Sequence, residues 1–336
     1  MYEGLVVRTF AGENIHGSVG LTLFGNVPEE DRKTIAKNAR IKLGLVDSHP
    51  LPATAFVMPM GGGRSNNFEI KFYNPKGEQT PFDGVGIIAA AKAIQKKFNI
   101  PDGTMINLIP DQQFGEGAAP KKAPVMVNGN KAWFFMNPIG NRKISKSDPA
   151  HGILSNALAG ISDNIYRTKT DDLVVIYKTA EDLKNNPVNQ KTLEQLARFY
   201  PDLYGVTGIA PGAKVGEVES SLISRSYEGS EAGCVATLAV IAPIAKKAGI
   251  LAKPGADGSI AFDLISPHHA NMSDTGEKGS IIKSKLFAGS GDTCAIMSVA
   301  FDGSLYFDKD EKGKMKQFSL VKKSPTIIQP AKKNGR

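Results

Sequence analysis

Two short segments of the chain carry residue types suited to acid–base chemistry. The first is Asp83-Gly84-Val85-Gly86 and the second is Glu231-Ala232-Gly233-Cys234-Val235. Each has a glycine just ahead of an apolar, alanine-rich run that reads as a helix: IIAAAKAIQKKF at 87–98 and CVATLAVIAPIAKKAG at 234–249. The first N–H groups of a helix have no partner inside it, and the helix dipole adds positive potential at that end. A carboxylate is attracted there. The N–H groups of Val85, Gly86, Cys234 and Val235 are therefore expected to face an anion. Cys234 is either a thiol with a lowered pKa at a helix start or a small core residue. Asp83 and Glu231 are either proton-transfer groups or caps for their own helices. If both helix starts open into one cleft, a small acid held there has acid–base groups on two sides of one carbon.

The surrounding pattern is mixed strand and helix. Segments 5–10, 18–24, 55–60, 68–75, 105–110, 123–128 and 131–138 read as strands, and a helix opens at Pro28 with Glu29, Glu30 and Asp31 in its first turn. In the second part, 153–160 and 193–200 read as helices. Segments 172–178, 205–211, 220–227, 259–265, 280–288, 293–301 and 304–308 read as strands. The polar stretch 141–152 marks a boundary, which predicts domains at 1–140 and 141–325 with a basic tail at 326–336.

The two parts repeat one another. Gly84 is followed by Ala90 and Ala93, and Gly233 by Ala239 and Ala242, with a Lys-Lys pair closing each run. Each glycine follows a strand and opens the alanine-rich helix. Small residues all round such a helix let strands pack closely, so both helices are expected to be central.

Composition narrows the function. The chain has 336 residues with a net charge of +8, and its basic residues are spread out rather than interleaved with aromatics. That argues for a small anionic metabolite as partner rather than nucleic acid. The most apolar stretch, Cys234 to Ala245, is 12 residues and too short to span a membrane. Two cysteines make neither a disulfide framework nor a zinc cluster, and no signal peptide is visible, so a cytoplasmic protein with free thiols is expected. His268-His269 lacks further ligands at metal spacing, so no metal is expected. The glycine-rich segment 60–67 lacks the lysine of a phosphate loop. A homodimer is one assembly the sequence allows.

Several segments resemble the PhzF-like isomerases of the diaminopimelate-epimerase-like superfamily. SVGLTLFGNVPEEDRKTIAKNARI is similar to the family's opening strand and helix. LPATAFVMP resembles its S-E-T-x-F-V segment, FEIKFYNPKGEQTPFDGVGIIAAAKAI its strand, E-x-P-F and G-H motif, and RSYEGSEAGCVATLA its E-D-P-x-T-G-S-A-H motif. The resemblance implies an α+β fold of two pseudo-symmetric domains, each a curled mixed sheet around a central Ala-rich helix. It also implies isomerisation of a small carboxylic acid between the domains, without a cofactor.

Matched position by position, the family's scaffold residues fall on Thr54, Phe56, Pro81, Phe82, Gly84, Glu228 and Gly233. Its catalytic Glu, His, Asp and Ser fall on Ala53, Val85, Gly229 and Cys234. A methyl group cannot replace a carboxylate base. Two readings follow. One is an isomerase with a shifted set of groups: Asp83, Cys234 and Glu231 in catalysis, and Gly84, Val85, Gly86, Gly233, Val235, Ala53 and Thr54 around the substrate, with Asp47 and His49 just upstream. The other is a catalytically inactive relative that keeps the fold for ligand binding or as a scaffold.

Overall fold

The computed structural model describes residues 2–9, 18–43, 53–61, 65–80, 83–111, 122–136, 139–224, 230–231, 235–266, 280–288, 294–299, 306–307 and 317–320. The first half contains β1 (Tyr2–Thr9), β2 (Ser18–Phe24), α1 (Glu29–Lys42), β3 (Ala53–Pro59), β4 (Asn67–Tyr73), β5 (Gln79–Thr80), α2 (Gly84–Lys97), β6 (Met105–Pro110), β7 (Ala123–Asn128) and β8 (Lys131–Met136). The rest contains β9 (Asn141–Lys143), α3 (Pro149–Ala157), β10 (Ile161–Thr168), β11 (Asp172–Tyr177), α4 (Ala180–Asn185), α5 (Gln190–Ala197), β12 (Gly205–Pro211), β13 (Glu217–Ser224), β14 (Ser230–Glu231), α6 (Val235–Lys247), β15 (Ile260–Ser266), β16 (Ser280–Ala288), β17 (Cys294–Val299), β18 (Tyr306–Phe307) and β19 (Gln317–Leu320).

The repeat seen in the sequence is a repeat of strand pairing. In the first half β1–β2 is antiparallel, β2–β3 parallel, β3–β4 and β4–β5 antiparallel, β4–β6 parallel, and β6–β7 and β7–β8 antiparallel. The same order of pairings runs from β10 to β17. Corresponding strands then place Ala53 with Gly205, Gly20 with Asp172, Phe72 with Leu222, and Thr80 with Glu231. The two curled mixed sheets are joined where β8 pairs with its counterpart β17, Phe134 opposite Ser298. Each sheet gains further edge pairings: β9, at the start of the second half, adds to β10, while β18 and β19, from the end of the chain, add to β1.

α2 is buried around most of its circumference, with Ile87, Ile88, Ala89, Ala90, Ala91, Ala93 and Ile94 all at 1% exposure or less. Fully burying each isoleucine contributes about 1.5–3 kcal/mol. The alanines allow close approach: a Cβ on Gly20 would fall 2.2 Å from the Ala89 Cβ. The inner core around α2 and α6 draws on both halves, from Leu5 and Phe72 to Val174, Ile241 and Leu264. α1 covers the outer face of the first sheet with Ile35, Ala36 and Ala39 against Leu21, Phe56 and Tyr73. α3 to α5 cover the outer face of the second through Leu154, Leu183, Leu193 and Leu196.

The structure shifts several expected elements. The helix expected at 153–160 runs from Pro149 to Ala157, because Asp148 caps it by accepting from the Ala150 N–H and Pro149 suits the first turn. α4 and β10 were not foreseen; α4 is set by Thr179, whose hydroxyl accepts from the Asp182 N–H. β9 lies inside the polar stretch expected to be a boundary; it pairs with β10 through the backbone, and Lys143 Nζ donates to Asn164 Oδ1. The tail at 326–336 lies outside the described residues.

Candidate functional site

The start of α2 is the better described of the two helix ends. Asp83 is its N-cap, with an extended backbone and Oδ1 accepting from the Gly86 N–H at 2.6 Å. The Asp83 carbonyl accepts the Ile87 N–H at 2.9 Å. The expectation of a free Gly86 N–H is therefore corrected: the cap takes it. Among the described residues, the Gly84 and Val85 N–H groups are left to the helix end.

The inner face of the first sheet completes this end. Gly20 on β2 is paired with Ala53 on β3, and its α-carbon lies against the first turns of α2, where an added Cβ would meet the Val85 carbonyl oxygen at 3.6 Å. Ala53 and Val85, the positions where the resemblance places the family's Glu and His, thus come together around Gly20. Neither side chain can move a proton. Ala53 is buried, at 3% exposure. Thr54 goes the other way. Side chains alternate along a strand, and the inner core holds Ala55 and Val57 while the outer core holds Phe56. Thr54 consequently faces the α1 side beside Tyr73, its cross-strand partner, and is corrected as a substrate contact.

Thr80 was not singled out from the sequence. It sits opposite Phe72 on the inner face, and the Phe72 ring would lie 2.9 Å from a Cβ on Gly86. Thr80 is 5% exposed and its hydroxyl finds no hydrogen-bond partner among the described residues. A buried hydroxyl without a partner costs free energy unless a ligand or water satisfies it. The signal available in sequence was its place three residues before the cap, which strand length alone did not reveal.

At the second end, Glu231 lies in β14 opposite Leu222, at the register position that Thr80 holds in the first half. Val235 opens α6. Gly233, Cys234, Asp47 and His49 lie outside the described residues. No group of three or more metal-ligating side chains occurs among the described residues. No helix among them is long and apolar enough to cross a membrane.

A half-barrel wrapped on an alanine-rich helix, duplicated with the same strand order, defines the diaminopimelate-epimerase-like class of α+β folds. Solved structures of that class superpose on nearly the whole chain. A phenazine biosynthesis PhzC/PhzF protein of Clostridium difficile matches with a TM-score of 0.63 at 18% identity, covering 96% of this chain and 100% of its own. A PhzF-family protein of Bacillus anthracis gives 0.66 at 10% identity over 96% and 99%. A predicted epimerase of Pseudomonas aeruginosa gives 0.62 at 12% identity over 96% and 100%. No protein-family model and no curated protein matches the chain. The chain thus has the fold of the PhzF proteins, at a distance where sequence shows little of it.

Proposed function

We propose that this protein is a cofactor-independent isomerase that moves a proton on a small carboxylic acid held at the starts of α2 and α6. The observation that carries the reading is the α2 start. There the first turn of α2, with its Gly84 and Val85 N–H groups, packs at Gly86 on the Phe72 ring. Phe72 pairs across the sheet with Thr80, whose buried hydroxyl has no partner among the described residues. Together these are donors fit for a carboxylate. Structural neighbours described as PhzF proteins and as an epimerase support it by fold. The net charge of +8 favours an anionic substrate. In this reading the helix starts hold the carboxylate and lower the cost of charge that develops beside it. Cys234, which directly precedes α6 in the sequence, and Asp83 remain acid–base candidates.

The test is incubation in heavy water with a panel of small α-substituted and unsaturated carboxylic acids, read by mass spectrometry. At least one acid should acquire solvent deuterium and change the position of a double bond or a stereocentre. Cys234→Ala should slow that exchange with little effect on unfolding. Absence of exchange in every acid, with binding retained, would establish the second reading, a ligand-binding relative without catalysis. That alternative is favoured by one observation: the Asp83 carboxylate is already occupied as a cap.

A further inference from the structure

The equivalence of the two halves singles out one acid that the resemblance does not touch. Gly20 opens the β2–β3 pairing opposite Ala53, and Asp172 opens the β11–β12 pairing opposite Gly205. Along β11, Val174 and Ile176 belong to the inner core, while Leu173, Val175 and Tyr177 belong to the outer one. Alternation puts Asp172 on the inner face of its sheet, the face on which Gly20 meets the Val85–Ala89 turn of α2 in the first half. The halves differ in how they use this place. Gly20 has no room for even a methyl group, with α2 close on β1 and β2. At the same register position in the second half the chain carries the Asp172 carboxyl.

The carboxyl is held by hydroxyls. Its Oδ2 accepts from Thr170 Oγ1 at 2.6 Å, Thr170 Oγ1 lies 2.9 Å from Thr168 Oγ1, and Thr168 Oγ1 accepts the Asp172 N–H at 3.0 Å. Among the described residues no cation pairs with it. Arg167 pairs with Asp171 at 2.6 Å and lies over the Tyr200 ring, on the outer side of the hairpin. A buried carboxylate without a cation is costly as an ion. Burial accordingly pushes its pKa up to about 7, with the nearby Asp171 charge adding to the rise and the threonine hydroxyls opposing it. A group that holds and releases a proton near neutral pH is suited to acid–base work.

We propose that Asp172 is an acid–base residue of this site, facing the bound acid from the second half and supplying the proton transfer that Ala53 cannot. This rests on the isomerase reading above. In the step, the Asp172 carboxylate takes a proton from a carbon of the substrate. The C–H bond breaks, an O–H bond forms on Asp172, and the electron pair stays on the substrate, delocalised into its carboxyl or double bond. The Asp172 carboxylic acid then returns its proton on the same face to the conjugated carbon, where a new C–H bond forms, which restores the carboxylate and shifts the double bond. No oxidant, reductant or co-reactant enters the balance.

The experiment uses the full chain with carbon-13 at its aspartate carboxyls, the Asp172 signal being assigned by its loss in Asp172→Asn. The signal is titrated without and with excess crotonate, a small unsaturated acid, and deuterium uptake by the acid panel is measured on both proteins. The expected result is a titration near neutrality that crotonate displaces, together with a fall of about 10²–10⁴-fold in deuterium uptake in the variant. A signal unmoved by crotonate, or uptake retained in Asp172→Asn, overturns the proposal and leaves Asp172 as a hairpin residue only. If the unaltered protein takes up no deuterium from any acid while crotonate still moves the signal, the isomerase reading falls with the proton transfer, and the contact with the bound acid alone stands.

Discussion

Asp172 also sets a pH dependence of stability. Its pKa is 3.8 when exposed and about 7 in the fold, so the folded state binds the proton more tightly than the unfolded one. The contribution of the carboxyl is fully present below pH 3.8 and is lost as pH rises through about 7. Above that, the fold carries a buried charge. Asp172→Asn keeps an acceptor for Thr170 and carries no charge. The variant should be more stable than the parent at pH 8, by on the order of 2–4 kcal/mol. The difference should shrink steadily as pH falls toward 4, and urea unfolding at several pH values measures it. A variant that is less stable at every pH would mean that the carboxylate is favourably solvated in the fold. Asp83 should behave differently, as a cap: Asp83→Ala should cost about 1 kcal/mol, and Asp83→Asn a few tenths.

At the scale of elements, contact between α2 and β2 is the tightest constraint near the site. A methyl on Gly20 would stand 2.2 Å from the Ala89 Cβ, and both atoms are fixed to backbone, so neither can swing aside. Gly20→Ala should therefore destabilise by about 1–3 kcal/mol through overpacking, seen as a lower midpoint with an unchanged slope in urea. Gly20→Ala combined with Ala89→Gly should recover part of that loss, since it restores space at the contact while paying helix propensity. A loss in the single variant without any recovery in the double would place the strain elsewhere.

The same contact shows what was legible in the sequence. The alanine-rich helix announced itself by Ala89, Ala90, Ala91 and Ala93, and its start by Asp83 and Gly84. The resemblance put Ala53 and Thr54 together around the substrate, and adjacency in sequence hid that they face opposite layers. In sequence Asp172 is only the first residue of the segment 172–178 that reads as a strand. Its significance depends on which residue of the other half shares its register, and strand pairing is long-range information. Thr80 was missed for the same reason: β5 is two residues long, and only its pairing with Phe72 gives it a face.

Over the whole molecule, the two halves are tied together by strand pairing. β18 and β19 pair with β1, so the last described strands complete the first sheet. β9 extends the second at β10, and β8 meets β17 at the approximate two-fold axis through Phe134 and Ser298. The inner core is continuous across the halves. A fragment ending at residue 140 would keep β1 to β8 but lose β18 and β19, which pair with β1, and β17, which pairs with β8. It would expose the β1 and β8 edges and the inner-core surface that meets Val174, Val240 and Ile241. Exposed edges and apolar surface favour aggregation over folding. Such a fragment should bind a hydrophobic dye and lack slow-exchanging amides, as should one starting at residue 139. Mixed from denaturant, the two should recover protected amides in β8 and β17 together, because each supplies the other's missing edge. If either fragment alone shows a cooperative unfolding transition and a protected β8 or β17, the halves are independent and the strand pairings between them are decoration.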